Sequence, residues 1–139
     1  MIAAELEDKA IKLLDGGGEG WNPNPWSNWH GITKGAGGVA MLAIDGDPGV
    51  SEKSGDQIHK AKRELILHLK HLGEKGWTPE GLDYLRYELC TGVLPFIQAY
   101  HQVLNVNLAD SLPNIDAFLP LYIMQAVAAG HTCLSPDYG

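Results

Sequence analysis

The sequence predicts a mainly α-helical single domain that carries a small irregular or β-hairpin lobe near its N-terminus. Apolar residues recur at helical spacing over residues 2–14 and over much of 54–130. Between these regions, residues 15–38 are rich in Gly, Pro and Trp, which interrupts the helical pattern. A chain of 139 residues has room for one domain with a sizeable core, so we assign residues 1–139 to a single domain.

The first predicted element is an amphipathic helix over residues 2–14. Charged residues separate its apolar positions, which are Ile2, Leu6, Ala10, Leu13 and Leu14. The glycines at 16–18 then end the helix, because Gly readily adopts the left-handed conformation that closes a helix.

The segment 15–38 is predicted to be irregular and to form one wall of a cleft. It contains three of the four Trp residues, which makes it too aromatic for a solvated linker. A long ordered loop in a small domain is usually functional. Glu19 lies where the first helix gives way to this segment.

Residues 39–44 are a short apolar run that fits either a buried strand or a short helix. The turn-rich loop that follows, 45–56, contains Asp45 and Asp47, as calcium loops do. However, Gly46 comes too early for that motif and no Glu closes it, so no metal site is predicted.

Two helices are predicted between residues 54 and 104. Ser54 and Gln57 have the spacing of a capping box, in which each side chain bonds the other residue's backbone N–H, and Gly73 ends this helix. The sequence Thr78-Pro79-Glu80 predicts the start of the next helix, because it offers a capping hydroxyl, a Pro in the first turn and an early acid.

That second helix contains Pro95, which should kink it or split it in two. Cys90 on the same helix is predicted to be a buried thiol, and neither Cys90 nor Cys133 belongs to a C-x-x-C motif. A last helical region is predicted from about Asn114 to Ala129.

Composition and charge restrict the partners. The formal net charge of −7 disfavours duplex nucleic acid, and no apolar run is long enough to span a bilayer. The acids Glu5, Glu7 and Asp8 follow Met1 too closely for a signal peptide. We therefore expect a protein that is cytoplasmic when made, without a membrane span and without a cofactor.

Glu19 is the candidate general acid. A carboxyl beside Trp21, Trp26 and Trp29 would be partly desolvated, and desolvation keeps a Glu protonated near neutral pH because it raises the pKa. Trp faces also stack against the apolar C–H surfaces of sugar rings. This combination predicts polysaccharide cleavage, and the alternative is that Glu19 is an exposed loop acid.

Most glycosidases need a second carboxylate in addition to the acid. Asp45 or Asp47 could supply it, whereas Asn28 or Thr33 could hold a water molecule by hydrogen bonds. The alternative for each of these residues is a structural role in a turn, because Asx side chains stabilise turns well.

Histidines add one candidate contact. Among the six histidines, His30 lies in the predicted cleft segment and could contact a ligand. His68 and His71 are three residues apart and therefore share one helix face. HExxH is absent, and no acid or Cys completes a zinc set in the sequence.

The block EGWNPNPWSNWHGITKGAGG at residues 19–38 resembles the catalytic region of lysozyme-like muramidases and lytic transglycosylases. Residues 19–24 and 35–39 are similar to the two transglycosylase motifs. A weaker similarity, to the helical end of lysozyme-like domains in phage tail proteins, covers 93–104 and 114–130. The residues that follow the phage-lysozyme pattern are Glu19-Gly20, Trp26, Asn28, Gly31, Thr33, Gly35 and Gly37.

The resemblance implies a lysozyme-like fold and cleavage of the β-1,4 bond between N-acetylmuramic acid and N-acetylglucosamine in a peptidoglycan glycan strand. Glu19 would protonate the leaving oxygen, while Asn28 and Thr33 would position water or the sugar. The groove would be lined by Trp21, Asn24, Trp26 and His30.

The chain departs from the family at two positions. The family's Asp is Asn28 here, and the Gln of its second motif is Met41. Both differences fit a lytic transglycosylase, whose sugar supplies its own nucleophile, so that one acid is enough. They also fit a phage or wall-associated module that binds glycan without cutting it, and the resemblance leaves open that the protein is part of a phage particle acting at the cell wall. A third interpretation is a small helical protein that works through protein partners.

Overall fold

Five α-helices make up most of the computed structural model, which describes residues 2–16, 24–72, 80–113, 115–117 and 120. A π-helical turn, Leu89–Val93, joins the fourth helix to the fifth, and a short 3-10 turn follows at Ala109–Ser111. The described residues contain no strand, and the mainly α class is confirmed. The lysozyme-like arrangement and the β-hairpin lobe stay predictions. The helices are α1 (Ile2–Asp15), α2 (Asn28–Ile44), α3 (Ser54–His71), α4 (Leu82–Glu88) and α5 (Leu94–Leu104).

Helix α2 is the centre of the bundle. It packs against α1, α3, α4, α5 and the π-helical turn. Its Met41 is fully buried in the core together with side chains from the surrounding helices, which include Leu14, Leu65, Leu69 and Phe96. The buried side chains of α2 therefore belong to a core that several neighbouring elements share.

The position of α2 corrects the prediction that residues 15–38 are irregular and that 39–44 form a separate short element. Residues 28–44 are one continuous helix. The prediction was wrong because it counted every glycine as a helix breaker. A helical Gly costs only about 0.5–1 kcal/mol relative to Ala, and packing around the glycines of α2 offsets this cost.

The glycines of α2 allow neighbouring backbones and rings to come unusually close. A Cβ added to Gly35 would lie 2.3 Å from the carbonyl oxygen of Gly92 in the π-helical turn. A Cβ on Gly38 would lie 2.4 Å from the Phe96 ring, and one on Gly92 would lie 2.4 Å from the carbonyl oxygen of Gly31. The residues that looked like breakers in the sequence are the contact surface of this helix.

The interruption between α4 and α5 follows from Pro95. Proline lacks an N–H, and its ring clashes with the carbonyl four residues earlier, that of Thr91. The helix widens into the π-helical turn at this point and resumes at Leu94, with Pro95 in its first turn. The predicted split of the helix is thus confirmed. The π-helical turn also brings Gly92 against α2.

Two predicted helix starts differ in detail. Helix α3 begins at Ser54 as predicted, but the capping box does not form, because the Ser54 hydroxyl donates instead to the Asp45 carboxylate. Helix α4 begins at Leu82 after Gly81, which has φ of +92°, a left-handed value that favours glycine. Of the predicted start, Thr78 and Pro79 lie outside the described residues, and Glu80 precedes the helix.

The remaining predictions divide into three groups. The helix over 2–14 is confirmed by α1, and residues 45–53 form the predicted loop. Cys90 was predicted to be buried, but it is exposed, because it lies on the outer side of the π-helical turn. Most of the predicted helix 114–129 lies outside the described residues. No helix within the described ranges is long and apolar enough to cross a membrane.

We expect Gly35→Ala to lower the free energy of unfolding by about 1–3 kcal/mol or more, because the added carbon meets the Gly92 backbone rather than a flexible side chain. Urea denaturation followed by circular dichroism would measure the change.

Gly55→Ala, in the first turn of α3, is the matched control. Nothing lies within 4 Å of its added carbon, so this substitution should be neutral or stabilising by up to about 1 kcal/mol. Equal destabilisation by the two substitutions would contradict the close approach of α2 and the π-helical turn.

Candidate functional site

Five polar side chains lie where the N-terminal half of α2 faces α3 and α4; four are almost entirely withdrawn from solvent, and the fifth, Glu64, is 30% exposed. We call these residues the polar cluster: Asn28, His30, Glu64, His68 and Glu88. The exposed fraction is 2% for Asn28 and His30 and 0% for His68 and Glu88. Buried polar groups are costly unless they are hydrogen-bonded, so the contacts within this cluster are informative.

His68 uses both ring nitrogens. Its Nδ1 lies 2.6 Å from the carbonyl oxygen of Pro25, and its Nε2 lies 3.1 Å from Oε2 of Glu88. A carbonyl oxygen can only accept, so Nδ1 must carry a proton and donate it. The contact with Glu88 then requires one more proton, held either by Nε2 or by the carboxyl group. The other oxygen, Oε1 of Glu88, is buried without a hydrogen-bond partner among the described residues.

His30 extends the cluster towards α3. Its ring stacks on that of His68, with centroids 5.7 Å apart and planes inclined by 23°, and its Nε2 lies 3.2 Å from Oε2 of Glu64. The neighbouring Gly31 makes room for this arrangement, since a Cβ there would lie 2.9 Å from Nε2 of His68. The four groups thus contact one another in the order Glu64, His30, His68 and Glu88.

The N-terminus of α2 is held by two side chains. Ser27 is the N-cap, and its hydroxyl oxygen accepts from the Trp29 N–H. The Glu80 carboxylate accepts from the Asn28 N–H at 2.6 Å and from the Ser27 hydroxyl at 3.2 Å. A carboxylate is favourable here because the helix dipole is positive at this end. Glu80 therefore ties the segment before α4 to the start of α2.

Trp26 is the most exposed aromatic residue in the part of the chain that the structure describes, with 51% of its surface accessible. Its indole meets the His71 ring edge-on, with centroids 5.6 Å apart and planes at 79°. Its backbone N–H donates to Oδ1 of Asn24 at 3.3 Å, which shapes the turn before α2. The indole is fixed at one edge and still exposes much of its surface.

The predicted site residues are divided between this region and the undescribed segment. Glu19 and Trp21 lie outside the described residues. Asn24 and Trp26 belong to the turn before α2, and Asn28, His30 and Thr33 lie on α2 itself. The Asn28 amide nitrogen is buried and has no hydrogen-bond partner among the described residues, whereas the Thr33 hydroxyl donates to the Trp29 carbonyl at 2.7 Å. Their catalytic and ligand-binding roles stay predictions.

Four residues in or beside the site were not expected from the sequence. Glu80 was interpreted only as part of a helix start, and Glu64 and Glu88 were not singled out. Lys34 was not singled out at all, although it is only 2% exposed. One usable signal was Glu88, an acid placed three residues after the buried Leu85 and five before the buried Val93. The partners themselves are distant in sequence, and no local pattern identifies them.

Lys34 joins α2 to the end of α1. Its Nζ donates to the carbonyl oxygens of Leu14 and Leu13 at 2.8 and 3.2 Å, where the α1 dipole is negative. Burial is the largest influence and lowers the pKa of this ammonium group. The negative charges of Glu64 and Asp15 oppose this shift, whereas the positive charge of Lys60 adds to it. The Lys34 side chain is therefore hydrogen-bonded to two carbonyl groups at a place where burial disfavours its charged form.

Within the described ranges, no group of three or more His, Cys, Asp or Glu residues is arranged to hold a metal ion. No protein-family model, no curated protein and no solved structure matches the chain.

The lowered pKa of Lys34 predicts an alkaline gain in stability. When the folded-state pKa lies below the unfolded one, the unfolded chain binds more protons between the two values, so raising the pH through that window stabilises the fold. The free energy of unfolding of the wild type should therefore rise relative to Lys34→Met as the pH approaches the ordinary lysine value of 10.5. Urea denaturation at several alkaline pH values would measure the difference.

Lys9→Met provides a control of opposite sign. Glu5 raises the pKa of the exposed Lys9, so the small contribution of that lysine should fade as the pH rises. A stability difference between wild type and Lys34→Met that does not change with pH would contradict the effect of burial on Lys34.

Proposed function

We propose that this protein binds a glycan strand of peptidoglycan beside the N-terminus of α2 and cleaves its glycosidic bonds with Glu19 as the general acid. The observation that supports the proposal is the half-exposed indole of Trp26, which contacts the His71 ring while Asn24 bonds the Trp26 backbone N–H. Fixed aromatic surfaces of this kind suit the apolar C–H faces of sugar rings.

Several contacts fix the Trp26 turn to the bundle. The carbonyl of the preceding Pro25 is bonded to the buried His68, and the following Ser27 is bonded to Glu80. A binding surface that is rigid before the ligand arrives loses less conformational entropy on binding. The turn therefore has the preorganisation that a glycan platform needs.

The described residues on both sides of the segment that contains Glu19 contact α3. On one side of the segment, Asp15 forms an ion pair with Lys60, and on the other side Pro25 bonds to His68. Lys60 and His68 are eight residues apart, which corresponds to about 12 Å along a helix. The described flanks of this segment are thus bound to one rigid element, next to the proposed platform.

The proposed reaction requires one acid, which protonates the glycosidic oxygen as the bond breaks. In the transglycosylase branch of the resemblance, the sugar then supplies its own nucleophile, so that no second carboxylate is required. Asn28 in place of the family's Asp is consistent with that branch. Asp45 and Asp47 are the two candidates for a second carboxylate, and Asp45 accepts a hydrogen bond from Ser54.

One observation favours a second candidate function, glycan binding without cleavage. Thr33 and Asn28, the predicted water-positioning residues, are 9% and 2% exposed, and the Thr33 hydroxyl is bonded within its own helix. A module with these residues buried and Trp26 exposed could hold a wall polymer without performing chemistry on it.

The proposal predicts different effects for the acid and the platform. Glu19→Gln should reduce the release of soluble fragments from purified peptidoglycan by about 100-fold or more, because a general acid typically contributes that factor, and should leave the affinity unchanged. Trp26→Ala should weaken binding to the same material. Sedimentation with insoluble peptidoglycan would measure affinity, and chromatography of the released fragments would measure cleavage.

Glu52→Gln, at an exposed acid in the loop before α3, is the matched control and should behave as the wild type. Binding by the wild type without release of fragments would assign the protein to the non-catalytic candidate. If the wild type neither binds nor cleaves, both glycan functions are wrong.

A further inference from the structure

We infer that His68 and His71 form a clamp that sets the orientation of the Trp26 indole, and that His68 acts as a positioning residue for ligand binding. This inference rests on the proposed function, because the clamp matters for activity only if Trp26 is a binding surface. We call the pair the histidine clamp.

The clamp uses one face of α3. His68 and His71 are three residues apart and therefore project from the same side of the helix. His68 is fully buried and bonds to the Pro25 carbonyl, whereas His71 is exposed and meets the indole of the next residue, Trp26. Two successive residues of the turn are thus held by two successive positions on one face of a rigid helix.

The bond from His68 to Pro25 depends on which ring nitrogen carries the proton. Nδ1 must donate, and this requirement is met while Glu88 shares a proton with Nε2 at 3.1 Å. The groups that face the His68 ring in the described structure are Glu88 from α4 and His30 from α2, with Glu64 behind His30. Glu88 and His30 hold the edge and the face of the ring, and this support directs Nδ1 at the turn.

The expected consequence is a rigid indole. Without the clamp, Trp26 would sample other rotamers, and binding would have to restrict them again. Loss of the edge-on contact with His71 should weaken ligand binding about two- to tenfold, the range that corresponds to the coupling energy of an aromatic pair. Loss of the Pro25 bond should have an effect of similar size.

The orientation of Trp26 can be measured without any ligand. Labelling the chain with 5-fluorotryptophan gives one fluorine NMR signal per Trp, and Trp26→Phe identifies the signal of interest. His71→Ala should shift or broaden this signal, and because His71 is exposed, the fold should survive the change. His59→Ala, at another exposed histidine of α3, is the matched control and should leave the signal unchanged.

Two amide substitutions separate the bonds of His68. The nitrogen of Asn lies near the Nδ1 position of His, whereas the nitrogen of Gln lies near the Nε2 position. His68→Asn should therefore keep the Pro25 bond, the Trp26 signal and the affinity for purified peptidoglycan. His68→Gln should keep the Glu88 contact but lose the Pro25 bond, shift the Trp26 signal and weaken binding. Nitrogen-15 NMR of the wild type should show a protonated Nδ1 on His68.

The outcomes distinguish the clamp from the glycan function. The clamp is wrong if Nδ1 of His68 is unprotonated, if His71→Ala leaves the Trp26 signal unchanged, or if His68→Asn and His68→Gln behave alike. The role in ligand binding is wrong if the wild type binds peptidoglycan and the clamp variants bind it equally well. A Trp26 signal that responds as expected in a chain that does not bind peptidoglycan would support the clamp and overturn the glycan function.

Discussion

The contact between the backbones of α2 and the π-helical turn determines the rest of this structure. Gly35 and Gly92 approach so closely that neither position has room for a side chain. On the same helix, Gly31 leaves room for the His68 ring of α3. His68 can therefore contact Glu88 of α4. Close helix packing and the polar cluster are therefore two results of one constraint, the absence of side chains along one side of α2.

The polar cluster is not explained by stability. Removing a histidine and a carboxyl group from water is costly, and a buried ion pair often contributes no more than a well-packed apolar pair would. His68 and Glu88 are both fully buried, and one oxygen of Glu88 has no hydrogen-bond partner among the described residues. The contact with Glu88 does fix the orientation of the His68 ring, which bonds the Pro25 carbonyl. A geometric role accounts for the cluster better than an energetic one.

Apolar periodicity made α1 predictable, because burial of one helix face gives a regular apolar pattern in the sequence. The start of α3 was predicted from Ser54, and the split between α4 and α5 from Pro95. Helix α2 has a different sequence pattern. Its glycines at 31, 35 and 38 repeat at helical spacing but contribute nothing to an apolar periodicity. The shared face of His68 and His71 was predictable from their spacing, whereas their target was not. Glu80 is 52 residues from the N–H that it caps, so only the folded chain reveals that contact.

Helix α3 contacts the described residues on both sides of the segment that contains the proposed acid, Glu19, and one of these residues is the proposed platform, Trp26. Lys60 pairs with Asp15 just before the segment that contains Glu19, and His68 and His71 hold Pro25 and Trp26 just after it. Catalytic groups on loops are effective when a rigid scaffold fixes the loop at both ends. An acid that must meet a glycosidic oxygen while the sugar rests on an indole needs such a common reference, because a misplacement of 1 Å can reduce the rate about 100-fold. In the proposed site, the three contacts on α3 would supply that reference.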